Sequence, residues 1–162
     1  MAELTKLEVK LAEVIGLAMA AQDATEKVEK LVEDQALTRE LQTMREEAAK
    51  AEERATEVAS ELEGKKTAVL DEARSVKQKA AEMLRDYLDE EADGLDGFEF
   101  LTMAEAGEVG HWSVLQALSV KAGNRELIEL AEWQLPIQQR HFQTVEQGTL
   151  TLAAQEDPNE PA

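Results

Sequence analysis

The sequence predicts an all-α protein: an antiparallel four-helix bundle with an extra helix in the long crossover between its halves. Three observations predict it. Apolar residues recur at alternating spacings of three and four along five segments, which is the period of an amphipathic helix. Alanine, leucine, glutamate and lysine dominate the 162 residues, β-branched runs are missing, and the first proline is Pro136. That composition favours helix throughout. Finally, the stretch 92–97 places Gly94, Gly97, Asp93 and Asp96 within six residues, and it is the clearest break in the chain.

The first helix is expected over residues 3–32, with Leu4, Leu7, Leu11, Val14, Ala18, Ala21, Thr25, Val28 and Val32 inward. The second is expected over 35–62, with Asp34 as N-cap, Gly64 as its end, and Leu37, Leu41, Met44, Ala48, Ala51, Ala55, Val58 and Leu62 inward. Together they read as an antiparallel hairpin over 3–63. A crossover helix over 66–92, its helical core at 66–90, should turn Val69, Ala73, Val76, Ala80, Met83 and Tyr87 inward. A second hairpin then spans 98–150, turning at Ala122-Gly123-Asn124, with Asn124 as the N-cap of the last helix. Pro136 should kink that helix by freeing the carbonyl of Glu132. Gly107 and Gly110, each costing about 1 kcal/mol in a helix interior, suggest either a close backbone approach or a frayed first turn. Residues 1–150 form one domain, and 151–162 read as a disordered acidic tail.

The second hairpin holds the chemically distinctive residues. Both histidines and both tryptophans lie in it (His111, His141, Trp112, Trp133). Glu108-Val109-Gly110-His111 is Glu-x-x-His, and Gln138-Gln139-Arg140-His141 repeats the spacing with an amide for the carboxylate. Residues three apart share a helix face. The stripe Leu101, Ala104, Glu108, His111, Leu115, Leu118, Ala122 places Glu108 and His111 where apolar residues belong, and Leu127, Ala131, Gln134, Gln138, His141, Val145 do the same opposite. In an antiparallel pair turning at Gly123, residues whose numbers sum to about 246 lie level. Glu108 then faces Gln138, His111 faces Gln134, and Glu105 faces His141. Buried polar groups need partners, so these layers are expected to form one cluster, either metal-bound or hydrogen-bonded.

The candidate metal ligands are Glu105, Glu108, His111 and His141, with Gln138 and Gln134 supporting them. The core stripes of the first two helices contain no acid; Glu13 and Glu47 flank them and could rotate inward. The ligand supply therefore matches at most a single iron, manganese or zinc ion. The alternative for Glu108 and His111 is a metal-free carboxylate–imidazole pair that fixes helix register. No nucleophile–base constellation, phosphate loop or redox motif occurs.

Composition narrows the function classes further. A net charge of −18 argues against nucleic acid or an anionic membrane as partner. With no cysteine, thiolate metal sites, thiol nucleophiles and disulfides are excluded. The opening Met1-Ala2-Glu3-Leu4-Thr5-Lys6 lacks the basic-then-apolar layout of a signal peptide, so a cytoplasmic location is expected.

The Glu-x-x-His pair, the run Val109-Gly110-His111-Trp112, the turn Lys121-Ala122-Gly123-Asn124 and the polar helix from Leu135 to Val145 together resemble the ferritin-like superfamily. The chain is most similar to its bacterial stress-associated members of unknown function. That resemblance implies a ferritin-like bundle with a reduced or vestigial non-haem metal site, acting in stress response or metal handling. Over residues 1–97 it extends only to helix order and length. Relatives typically flank the histidine with carboxylates and carry a glutamate pair in the last helix; here Gly110 and Ser113 flank His111, and Ile137 and Gln138 occupy the glutamate region. The alternative from another class is a metal-free scaffold, its long hairpin offering a face for homo-oligomer formation.

Overall fold

The computed structural model describes residues 2–162 and contains five helices. They are α1 (Lys6–Glu29), α2 (Gln35–Ser60), α3 (Lys66–Tyr87), α4 (Gly94–Ala122) and α5 (Arg125–Ala153), and no strand occurs among the described residues. None of these helices is long and apolar enough to cross a membrane.

Local chemistry sets the helix ends. Thr5 and Glu8 form a reciprocal capping box at the start of α1, and Asp34 accepts from the amides of Ala36 and Leu37 at the start of α2. Asn124 caps α5, and Gly123 ends α4 in the left-handed conformation that glycine tolerates best. The break expected through residue 97 is shorter than its composition suggests. Asp93 and Asp96 form a second capping box, so α4 begins at Gly94 instead of Phe98. The aspartates that read as a loop are the start signal of the helix. At the other end α5 continues through Pro136 and past Gly148 to Ala153, and the exposed tail begins after it.

α1 is the centre of the packing. It contacts α2, α3 and α4, while α5 packs on α4 and α2. Covered on several sides, α1 buries Ala12, Ile15 and Gly16 as well as the expected Leu11, Val14, Ala18, Thr25 and Val28. α2 and α5 bury nearly the stripes read from the sequence. α3 runs beside α1 and buries Ala68, Val69, Ala73 and Leu84. Met83 and Tyr87, expected inward, are exposed: α3 packs chiefly on α1, and at this end it turns Leu84 and Leu88 to the core instead.

Small residues allow the closest approaches. A methyl group at Gly16 would strike the Ala73 carbonyl and lie 2.8 Å from Val76 Cβ, and one at Gly148 would strike the Phe98 ring. Gly107 and Gly110 have no neighbour within 4 Å of such a methyl, and α4 begins at Gly94, so neither the close approach nor the frayed first turn occurs there. Gly16→Ala should therefore destabilise the protein by about 1–3 kcal/mol through overpacking. Gly110→Ala should stabilise it by up to about 1 kcal/mol through helix propensity. Urea unfolding of the two variants measures both, and equal effects would contradict this packing.

Candidate metal centre

Glu105, Glu108, Gln138 and His141 come together between α4 and α5. All four are at most 6% exposed. The amide nitrogen of Gln138 donates to Glu105 Oε2, and the Glu105 and Glu108 carboxyls hydrogen-bond each other. His141 Nδ1 lies 3.9 Å from Glu105 Oε2. Of the three level relations read from the sequence, Glu105 lies opposite His141 and Glu108 near Gln138, but His111 does not meet Gln134, because its side chain turns to Glu13.

Two buried carboxyls in contact cannot both carry charge cheaply. Burial pushes Glu105 up to about 7, against the lowering effect of hydrogen bonds from Gln138 and Glu108. Glu108 is pushed well above the usual carboxylate range by burial and by the neighbouring Glu105 charge. Glu108 thus keeps its proton and donates it to Glu105. Burial lowers His141, opposed by Glu47, so the imidazole is neutral near pH 7.

α2 supplies a residue missing from the expected ligands. Glu47 Oε1 lies 3.3 Å from His141 Nε2, while Arg140 donates from both terminal nitrogens to the same carboxylate, at 2.9 and 2.6 Å. The two Arg140 hydrogen bonds hold Glu47 below the usual carboxylate range, with His141 adding to them. An ionised Glu47 selects the tautomer with its hydrogen on Nε2. That leaves the Nδ1 lone pair of His141 on the side of Glu105. Carboxylate support behind one ring nitrogen is the usual way a ligating histidine is held.

His111 stands apart. The sequence places it in the core beside Glu108, but its side chain is 41% exposed and its partner is Glu13 of α1, with Nδ1 at 3.0 Å from Oε2. The buried stripe of α4 is Leu101, Glu105, Glu108, Trp112, Leu115 and Ser119. Trp112 takes the inward position and turns His111 to the rim. His111 also lies six residues beyond Glu105, about 9 Å along the axis. Lys10 binds Glu13 as Arg140 binds Glu47, so each histidine is held by a glutamate from the first hairpin that is itself held by a cation. Gln134 is 1% exposed, and its Oε1 has no hydrogen-bond partner among the described residues.

Glu13 and Glu47 were visible in the sequence only as acids flanking apolar stripes. Arg140 carried no signal beyond lying next to His141. Among the described residues no group of three or more acids or histidines is drawn together as metal ligands are; the donors are paired with one another instead. Their chemistry fits one ion, with one imidazole nitrogen and two carboxyls available behind the Glu47 support. It does not fit two, because Gln138 is an amide where the second Glu-x-x-His would need an acid, and His111 is committed at the rim. Comparison with protein-family models, with curated proteins and with solved structures finds no match to this chain.

Proposed function

We propose that the protein is a ferritin-like four-helix bundle of α1, α2, α4 and α5, with α3 in the crossover, and that its centre binds a single divalent metal ion for stress response or metal handling. The pairwise packing of α1 with α2 and α4, and of α5 with α4 and α2, supports the bundle reading. One observation carries the metal reading: the buried Glu105–Glu108 pair, with the lone pair of His141 beside it. Two carboxyls in one apolar site need a proton or a cation between them. His141 Nδ1, Glu105 and Glu108 would be the ligands, and Glu47 would hold the imidazole. Nitrogen with carboxylate donors suits iron, manganese or zinc.

Calorimetric titration of untagged protein with manganese, ferrous iron and zinc at pH 7 tests this. One ion per chain should bind, with release of about one proton from the carboxyl pair. Glu105→Gln with Glu108→Gln should abolish binding, while His111→Gln should leave it intact. A second ion of equal affinity, or binding that survives the double change, would refute the site. Absence of binding by all three metals would favour a metal-free bundle. The observation favouring that second reading is the Glu105–Glu108 contact itself, in which the proton kept by Glu108 takes the place of a cation.

A further inference from the structure

Between Glu99 and Lys121 the only ionisable residues of α4 are Glu105, Glu108 and His111. The two glutamates are buried, and the histidine turns to Glu13. What the helix shows to solvent along this stretch includes Met103, Ala106, Gly107, Gly110, Val114 and Ala117, with Met103 46% and Val114 42% exposed. At about 3.6 residues per turn, these positions and the two charged ends fall within an arc of about 100°. That arc lies opposite the buried stripe of Leu101, Glu105, Glu108, Trp112, Leu115 and Ser119. A helix that is apolar all round is ordinarily covered on every side. α4 packs on α1 and α5 and leaves this outer face open.

We propose that this face pairs with the same face of a second copy, the two α4 helices lying antiparallel across a twofold axis at Gly110. Charge chooses the occupant. At a net charge of −18, two copies repel wherever their acidic faces meet, and the outer face of α2 carries Glu40, Glu46, Glu53 and Glu57. The α4 face is uncharged along its middle, with an acid at one end and a base at the other. Such a face complements itself only when one copy is reversed. Residues whose numbers sum to about 220 then lie level across the axis. Glu99 meets Lys121, Met103 meets Ala117, Ala106 meets Val114, and twofold symmetry makes each contact twice. Gly110 meets its own counterpart, and a methyl group there meets nothing within 4 Å in its own chain. The second copy supplies the close approach that the chain itself does not. Gln139 and Gln143, exposed on α5, widen the uncharged face. From Glu99 to Lys121, two helices wide, it covers about 600 Å² per copy. That is at the small end of specific interfaces and implies an exchanging dimer, with a dissociation constant on the order of 10–100 µM.

The pairing needs no metal and is tested on chelator-treated protein, so its failure would leave the metal reading untouched. Sedimentation equilibrium at pH 7, from about 1 to 500 µM chain, should follow a monomer–dimer equilibrium. Gly110→Glu sets two like charges face to face on the axis and should weaken the dimer at least tenfold. Its melting temperature, read on dilute monomer, should be unchanged or higher, because glutamate favours helix over glycine and meets no neighbour there. Lys121→Glu should weaken the dimer about three- to tenfold, and adding Glu99→Lys should restore it to within about twofold. A chain that stays monomeric throughout, a dimer that Gly110→Glu leaves intact, or a charge reversal that the second change does not repair would overturn the proposal. So would growth beyond a dimer, since a twofold pairing closes on itself.

Discussion

Raising the pH from 5 to 8 should destabilise the protein, by about 2–3 kcal/mol through Glu105 alone. The sign follows from proton counts. A carboxyl raised to about 7 in the folded chain holds its proton over a range where the unfolded chain, at 4.5, has released it. The folded state therefore binds more protons across that window, and stability falls as pH rises through it. Glu108, raised further, extends the loss to higher pH. His141 works the other way. Its folded value is lowered, so its contribution grows with pH only up to the ordinary value of 6.5 and is constant above it. Below pH 6.5 His141 offsets part of the loss through Glu105; above it nothing does, and the fall continues through Glu108. Glu8, Glu29 and Glu47 are lowered carboxylates, whose stabilisation is lost only on acidification below the usual carboxylate range. Urea unfolding at pH 5, 6.5 and 8 reads the profile. Glu105→Gln with Glu108→Gln should flatten the slope above pH 6.5, because no titrating group then remains in the pair. A midpoint that is constant or rises from pH 6.5 to 8 would show the carboxyls to be ionised and solvated. An unchanged slope in the double variant would assign the effect to the general acidic charge instead.

The fold was readable where the chain offered one consistent pattern. The stripe of α5 has a single phase, because Leu127, Ala131, Gln134, Gln138, His141 and Val145 admit no competing set, and all six are buried. In α4, two stripes share Leu101, Glu108 and Leu115. One adds Ala104, His111 and Leu118, and the other adds Glu105, Trp112 and Ser119. Summed hydrophobicity favours the first, yet the second forms, with the large Trp112 ring buried among Leu11, Ile15, Leu115 and Ala131. The first stripe puts His111 in the core; the second, which forms, turns it outward and makes Glu105 the central acid. Glu13 and Glu47 were legible only as positions able to rotate inward: an acid beside an apolar stripe looks the same whether it faces water or a histidine on another helix. The exposed side of α3 could not be read at all. Met83 and Tyr87 keep helical period with Val69, Ala73 and Val76, yet α3 buries Leu84 there and leaves both exposed. Periodicity reports which face is apolar, and tertiary packing decides whether that face is covered.

Trp112→Ala should cost about 3–5 kcal/mol, while His111→Ala should change stability by less than about 1 kcal/mol. Trp112 is 2% exposed and packs in the cluster with Leu11, Ile15, Leu115 and Ala131, so truncation removes a large buried ring and leaves a cavity among residues of three helices. His111 loses only a half-exposed contact to Glu13, and Lys10 still neutralises that carboxylate. The two positions are adjacent, so the comparison measures the rotational phase of α4 directly. Thermal and urea unfolding at pH 6.5 keep the state of the Glu105–Glu108 pair common to both variants. Comparable costs, or a larger loss from His111→Ala, would place His111 in the core and return α4 to the phase with Ala104 and Leu118 inward. That rotation would swing Glu105 away from His141 and dismantle the centre. A large loss confined to Trp112 fixes the phase that brings Glu105, Glu108 and His141 together, and every expectation about that centre depends on this phase.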